Sequence, residues 1–311
     1  MSQKRIVWPD GMRFAFTIFE DPDAQTLQHS REAYSFLSDL GFRTTAGIWT
    51  MEPGEARRNS AGETCQNPEY LAWVQEIQRR GFEIGLHNVA PGSMTREEIT
   101  EGLARFREFF GADPVTMANH YNADAMYWGA ARLSGLNHAV YKAATLGRWR
   151  NRFFGDREGH PSFWGDLCQK HIRYCRNFVF RELNTLKACP MMPYQDPDRP
   201  YVNYWYASAE ASNLPRFLER VTEESMDRLE EEGGAAIVYT HFGHGYFASG
   251  SLDHRFKSLM SRLAKKNGWF VPVKTVLGFL ESQGNGTAIS RQDRNRMERR
   301  WLWTKLRHGT S

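Results

Sequence analysis

Short β-prone apolar runs alternate with amphipathic helical stretches along most of this chain, and that alternation restricts its fold more than any other feature. The run "MRFAFTIF" (12–19) stops at the acidic "EDPD". "SREAYSFLSDLG" follows with Ala33, Phe36, Leu37 and Leu40 at helical spacing and a glycine stop at Gly41. "RTTAGIW" (43–49) is strand-like again. "NPEYLAWVQEIQRRG" is a helix with Asn67 as N-cap and Pro68 at its first position. "FEIGLH" (82–87) reads as a buried strand ending in His87. "TREEITEGLARFREFFG" carries a Thr95–Glu98 capping box and an apolar stripe at Ile99, Leu103, Phe106 and Phe110. "PVTMANH" is a short strand ending in His120. Late in the chain, "AAIVYTHFGHG" is a buried strand between two amphipathic helices, and "WFVP" and "VKTVLGFLESQG" close the series. Repeated strand–helix alternation predicts a parallel sheet. Ionisable residues collect where the strands end, which favours a closed or nearly closed barrel over an open sheet, because a barrel lets those ends converge.

Length and charge narrow the reading. At 311 residues, with 41% hydrophobic residues, the chain suits one large domain or two ordinary ones. The net charge of +4 is local. Residues 291–307 hold seven Arg and Lys against Asp293 and Glu298, a surplus of +5, so the rest sums to −1. A neutral body argues against a nucleic-acid-binding face. The N-terminal "MSQKRIVWPDGMRF" lacks an apolar signal segment and no window is long enough to span a bilayer, so the expected location is the cytoplasm. Cys65, Cys168, Cys175 and Cys189 have no CxxC spacing and are expected as free thiols.

The chemistry-bearing residues sit at four strand ends. Glu20, Asp21 and Asp23 crowd behind the first strand, where mutual repulsion calls for a cation or strong donors unless the segment is only a solvated turn. His87, His120 and His241 end three others. Each alone reads more readily as a structural histidine. Together with the carboxylates they make a donor set for a divalent metal. His244 lies between Gly243 and Gly245 in a loop able to move over a ligand.

In these residues the chain resembles the NodB-type polysaccharide deacetylases, carbohydrate esterase family four. "FEDPD" (19–23) is similar to that family's Thr-Phe-Asp-Asp-Gly motif, "HNVAP" (87–91) to its His-Ser-x-x-His motif, and "YTHF" (239–242) to its late histidine motif. The resemblance spans roughly residues 12–120 and 233–282. It implies a distorted (β/α)7-8 barrel and a divalent-metal-dependent hydrolase of a carbon–nitrogen bond, with zinc as the ion and an N-acetylated sugar or saccharide precursor as substrate. It also implies Glu20 as base, Asp21 as metal ligand and catalytic group, His87 as ligand and His241 as acid. The departures open alternatives. Pro22 and Asp23 stand where the family has glycine, so Asp23 can replace Asp21 as ligand. Pro91 stands where the family has its second ligating histidine, and His120, from the neighbouring strand, is expected to supply that imidazole, with His160 and His171 as alternatives. Two other readings stay open: a hydrolase of small amides, ureides or imides on the same fold, and a non-catalytic carbohydrate-binding relative.

The stretch from about 145 to 212 has weak periodicity and many aromatics, and is expected as an irregular insertion within a single catalytic domain over 1–285. Asn119, Trp164, Asp166, Tyr194 and Trp205, with His244, are expected to bind the substrate. Residues 286–311 are expected as a basic tail that packs on the domain or on a partner subunit in a homo-oligomer, with contact to an anionic membrane surface the less favoured option.

Overall fold

A computed structural model of the chain describes residues 6–148 and 152–309. Seven parallel strands close into a barrel: β1 (Phe14–Glu20), β2 (Thr45–Ile48), β3 (Glu83–Leu86), β4 (Thr116–Ala118), β5 (Tyr174–Phe180), β6 (Tyr204–Glu210) and β7 (Ala235–Thr240). They pair in chain order, and β7 pairs back onto β1 from Ala15 to Glu20. A small antiparallel pair, β8 (Phe247–Ala248) and β9 (Ser251–Leu252), lies outside the barrel. The strand β10 (Gly268–Trp269) pairs with Phe14 and Ala15, whereas β2 meets β1 only at Phe19 and Glu20. β10 therefore fills the gap that opens between β1 and β2 at the N-terminal end. The expected distorted barrel is what forms.

Parallel strands covered on both faces read as near-continuous apolar runs, and β1 is buried at every position. Phe19 points into the barrel against Gly47 of β2 and Gly85 of β3. A Cβ at either glycine would lie 3.0 Å from the Phe19 ring, so both positions must stay bare. At the N-terminal end the Glu83 carboxylate accepts hydrogen bonds from Thr45 Oγ1 (2.6 Å), Thr116 Oγ1 (2.9 Å) and the Lys274 backbone N–H (3.0 Å). Burial raises the Glu83 carboxyl above its ordinary value despite these donors.

The helices are α1 (Leu27–Asp39), α2 (Pro68–Arg79), α3 (Arg96–Phe110), α4 (Gly135–Ala144), α5 (Gly165–His171), α6 (Thr185–Ala188), α7 (Leu214–Arg220), α8 (Glu223–Glu232), α9 (His254–Leu263), α10 (Val273–Ser282) and α11 (Arg291–His308). Local chemistry sets their starts. Asn67 caps α2, and the Thr95–Glu98 capping box opens α3 with both reciprocal bonds present. All four cysteines are buried and free.

One expectation needs correcting. The stretch 145–212 is not an irregular insertion: it supplies β5 and β6, two of the barrel strands. Their runs "YCRNFVF" and "YWYASAE" interleave Arg176, Asn177, Ser208 and Glu210 with the apolar residues, which breaks the pattern a buried strand usually shows. The described part of 286–311 packs on the domain, one of the two arrangements expected for it. α11 lies against the barrel and α4, with Met297, Glu298, Trp301, Leu302 and Lys305 buried. No described helix is long and apolar enough to cross a membrane.

Candidate metal centre and active site

Strand alternation sorts the acidic cluster. Successive side chains point to opposite faces, so Phe19 and Asp21 face the barrel axis while Glu20 faces the helix layer. The Glu20 carboxylate accepts from Gln25 Nε2 (2.8 Å) and from the Tyr34 hydroxyl (3.2 Å) and does not line the pocket. Burial, reinforced by the Asp21 charge, pushes its carboxyl well above the usual range. The expected base is therefore not Glu20: it lies on the wrong side of the strand.

Asp23, His87 and His120 offer ligand atoms that all lie within 4.8 Å of one another. His120 Nε2 is 3.1 Å from Asp23 Oδ1, and His87 Nε2 is 3.3 Å from Asp23 Oδ2. His241 Nε2 stands 3.6 Å from the same Oδ2. In each ring the other nitrogen is committed. His87 Nδ1–H donates to the Ala118 carbonyl (3.1 Å) and His241 Nδ1–H to the Ser212 carbonyl (2.6 Å). His120 Nδ1–H donates to Asn122 Oδ1 (2.9 Å), an oxygen that also accepts from Asn59 while the Asn122 amide donates to the Ala90 carbonyl. Such bonds fix the tautomer of metal-ligating histidines and turn the Nε2 lone pair toward the centre.

The donor set also fits a cation on electrostatic grounds. Three imidazole nitrogens face one carboxylate whose buried Oδ2 has no hydrogen-bond donor. Burial alone would raise Asp23, but His120 and His87 more than offset it and hold the carboxyl well below its ordinary range. Asp23 is thus an anion ringed by imidazoles, an arrangement that a divalent ion satisfies. Ser60 Oγ donates to Asp23 Oδ1 (2.6 Å) and steadies the loop behind it.

Asp21 is engaged elsewhere. Arg176, on β5, donates to both of its oxygens: Nη1 to Oδ1 at 3.0 Å, and Nη2 to Oδ2 in a shorter bond. The guanidinium packs over the Tyr239 ring at 4.2 Å. Burial works against the Arg176 charge, and Asp21 more than restores it. Asp21 is not among the side chains that could together hold an ion, and Asp23 is. Arg176 was not anticipated from sequence; its only signal was a cation inside a strand-like run.

The second motif works through its asparagine. Asn88 adopts a positive φ of 49°. Its Oδ1 accepts from the His120 backbone N–H (2.7 Å), and its amide donates to the buried Asp124 carboxylate (2.5 Å), so "HN" ties the ends of β3 and β4 together. Asp124 also accepts from Met94 N (3.1 Å), and burial raises it to about 6. His160 stacks on Phe154 and His171 pairs with Asp113, both apart from this cluster.

These groups share a cavity of about 350 Å³. Asp21, Asp23, His87, His120, Arg176 and His241 form one part of its wall, and Trp128, Arg132, Tyr141, Phe153, Trp301 and Lys305 another. Most of the expected substrate-binding residues lie elsewhere. Trp164 is buried behind the wall and donates from Nε1 to the Asp124 carbonyl (2.6 Å). Asp166 pairs with Arg96 at 2.6 Å at the protein surface. Tyr194 and Trp205 are core residues; the Tyr194 hydroxyl accepts from Asn177 (3.2 Å), and Trp205 packs against Tyr127. Asn119 lines the cavity, but its amide is spent on the Met126 backbone, donating at 3.1 Å and accepting at 2.8 Å. His244 is exposed, with its ring 4.8 Å from that of His241.

No protein-family model matches this sequence, and no curated protein matches it. Solved structures do. The chain is similar to a candidate polysaccharide deacetylase from Mycobacterium smegmatis, at 12% identity and a TM-score of 0.50, covering 92% of this chain and 96% of that one. It is similar to a candidate polysaccharide deacetylase from Pseudomonas aeruginosa PAO1, at 12% identity and a TM-score of 0.45, over 98% and 95%. It is also similar to the PuuE allantoinase, at 12% identity and a TM-score of 0.44, over 98% and 94%. At this identity, the likeness to the Mycobacterium protein shows a shared fold.

Proposed function

We propose that this chain is a divalent-metal-dependent hydrolase of a carbon–nitrogen bond in a small molecule, with the acetamide of an N-acetylated sugar or saccharide precursor as its first candidate substrate. One observation carries the reading: three imidazole Nε2 atoms converge on an anionic Asp23 whose Oδ2 lacks a donor, beside an Asp21–Arg176 pair. Asp23, His87 and His120 would hold the ion, and two imidazoles with one carboxylate suit zinc. A divalent ion there supplies Lewis acidity that polarises a carbonyl and eases deprotonation of water.

The chain's own groups do the rest. Asp21, oriented by both guanidinium bonds from Arg176 and keeping a second lone pair on each oxygen, would take a proton from water as general base. His241, with Nδ1–H fixed on the Ser212 carbonyl, can hold at Nε2 the proton that the departing nitrogen needs. The aromatic wall of the cavity excludes water from the far side of the substrate.

A small amide, ureide or imide is favoured over a polymer by the cavity itself. Its 350 Å³ matches a single small ligand, and α11 walls it with Trp301 and Lys305. The test is elemental analysis, followed by acetate and amine release from N-acetylhexosamine phosphates, nucleotide-linked N-acetylhexosamines and small ureides. We expect one divalent ion per chain, and turnover that is lost on chelation and in His120→Ala. Unchanged metal content in His120→Ala, or no turnover in any class, would overturn the reading.

A further inference from the structure

Arg132 ends a 3-10 turn (Gly129–Arg132) beside the cavity and is only 6% exposed. Its Nε and Nη2 atoms are buried without a hydrogen-bond partner, and no carboxylate pairs with it among the described residues. No residue outside the described set is Asp or Glu, so no other side chain of the chain supplies that charge. Every other buried Arg or Lys among the described residues has one. Arg176 pairs with Asp21, Arg199 with Asp196, Arg220 with Glu219, Arg294 with Asp196 and Asp198, and Lys305 with Glu210.

The guanidinium is held between aromatic faces. Its Cζ lies 3.3 Å from the Trp128 ring centroid and 5.6 Å from that of Trp301, both of which line the cavity with it. Stacking orients the planar fork and leaves its donors unspent. Burial, with the nearby Arg176 adding to it, lowers Arg132 to about 9, so the group stays charged at neutral pH. An unpaired buried charge is costly, and here it opens onto the pocket that also holds Asp23 and His241.

We infer that Arg132 is a substrate-binding residue that receives an oxyanion, carboxylate or phosphate, borne by the substrate away from the bond to be cleaved. The inference deepens the hydrolase reading and rests on it only for where the amide sits. It selects acidic substrates: N-acyl amino acids, ureido acids, or sugar phosphates rather than neutral saccharides. A charge-assisted guanidinium–oxyanion pair then forms where Arg132 lines the cavity, beside Trp301 of α11.

Calorimetric binding to the zinc-loaded protein tests this without requiring turnover. One arm compares N-acetylglycine, N-acetyl-β-alanine and N-acetyl-γ-aminobutyrate with their neutral carboxamides. The other compares N-acetylglucosamine 6-phosphate with N-acetylglucosamine. In at least one arm the anion should bind tenfold or more tighter than its neutral match, and Arg132→Met should erase that preference. Unliganded Arg132→Met should melt no lower than the parent, since an unpaired charge is replaced by an apolar chain, and should lose the thermal shift that the anion gives the parent. Equal binding of anion and neutral match in both arms, no binding of any anion, or a preference that survives in Arg132→Met overturns the inference. Anion preference without hydrolysis of any probe would fault the hydrolase reading and leave this one standing.

Discussion

Two adjacent carboxyl groups at the end of β1 live in opposite surroundings. Asp21 faces a guanidinium in the pocket, and Glu20 accepts from the Tyr34 hydroxyl and from the Gln25 amide, which itself accepts from the Tyr70 hydroxyl. Arg176 donates to both oxygens of Asp21, so Arg176→Met leaves a buried carboxylate without its guanidinium. We expect a loss of about 3–5 kcal/mol in urea unfolding, largely recovered in the double variant with Asp21→Asn. A second residue-scale prediction concerns Asp124. Its carboxyl rises in the fold from an ordinary 3.8 to about 6, so the folded state holds a proton that the unfolded chain releases earlier. That contribution is complete below the unfolded value and disappears as pH climbs through 6, amounting to about 3 kcal/mol. In chelated protein, the stability of Asp124→Asn relative to the parent should therefore increase between pH 4 and pH 7. A pH-independent difference would remove Asp124 as its source. His87, His120 and Asp23 were visible in the sequence because each follows an apolar run. Arg132 was not, because a lone arginine in a loop carries no pattern.

At the scale of elements, α11 contributes most beyond its sequence signature. Its composition is basic, yet one buried acid anchors it. Glu298, with no exposed surface, accepts from the Ser134 backbone N–H (3.0 Å), the Ser134 hydroxyl (2.9 Å) and Asn137 Nδ2 (2.9 Å), capping α4 from outside. Glu298→Ala would leave those donors buried and unmet. We expect a cost of about 3 kcal/mol, read as a lower urea midpoint, with a weaker affinity for pocket ligands as α11 loosens. An unchanged midpoint would show that α11 is held by its apolar face alone. β5 and β6 pose the converse case. Their polar residues are buried like the apolar ones, and Arg176 lines the pocket, so the group that makes these strands useful is among those that disguise them in sequence.

At the scale of the molecule, the barrel turns strand ends into a site, and an ion that binds only the folded chain stabilises it by mass action. With zinc at a thousandfold excess over its dissociation constant, unfolding should cost about 4 kcal/mol more than in chelator, a rise of several degrees in Tm. His120→Ala should abolish that shift, and a shift that persists would place the ion elsewhere. By itself the sequence determined the barrel class, the helix starts and the strand-end histidines, because each rests on local periodicity, capping chemistry or the identity of a residue next to an apolar run. Only the tertiary structure decided that the Nε2 atoms of three histidines gather on Asp23, that Arg176 reaches Asp21 across 155 positions, and that no carboxylate of the described residues meets Arg132 beside Trp301. These are relations between segments far apart in the chain. Barrel closure and the side each residue presents set them, and no local pattern records either.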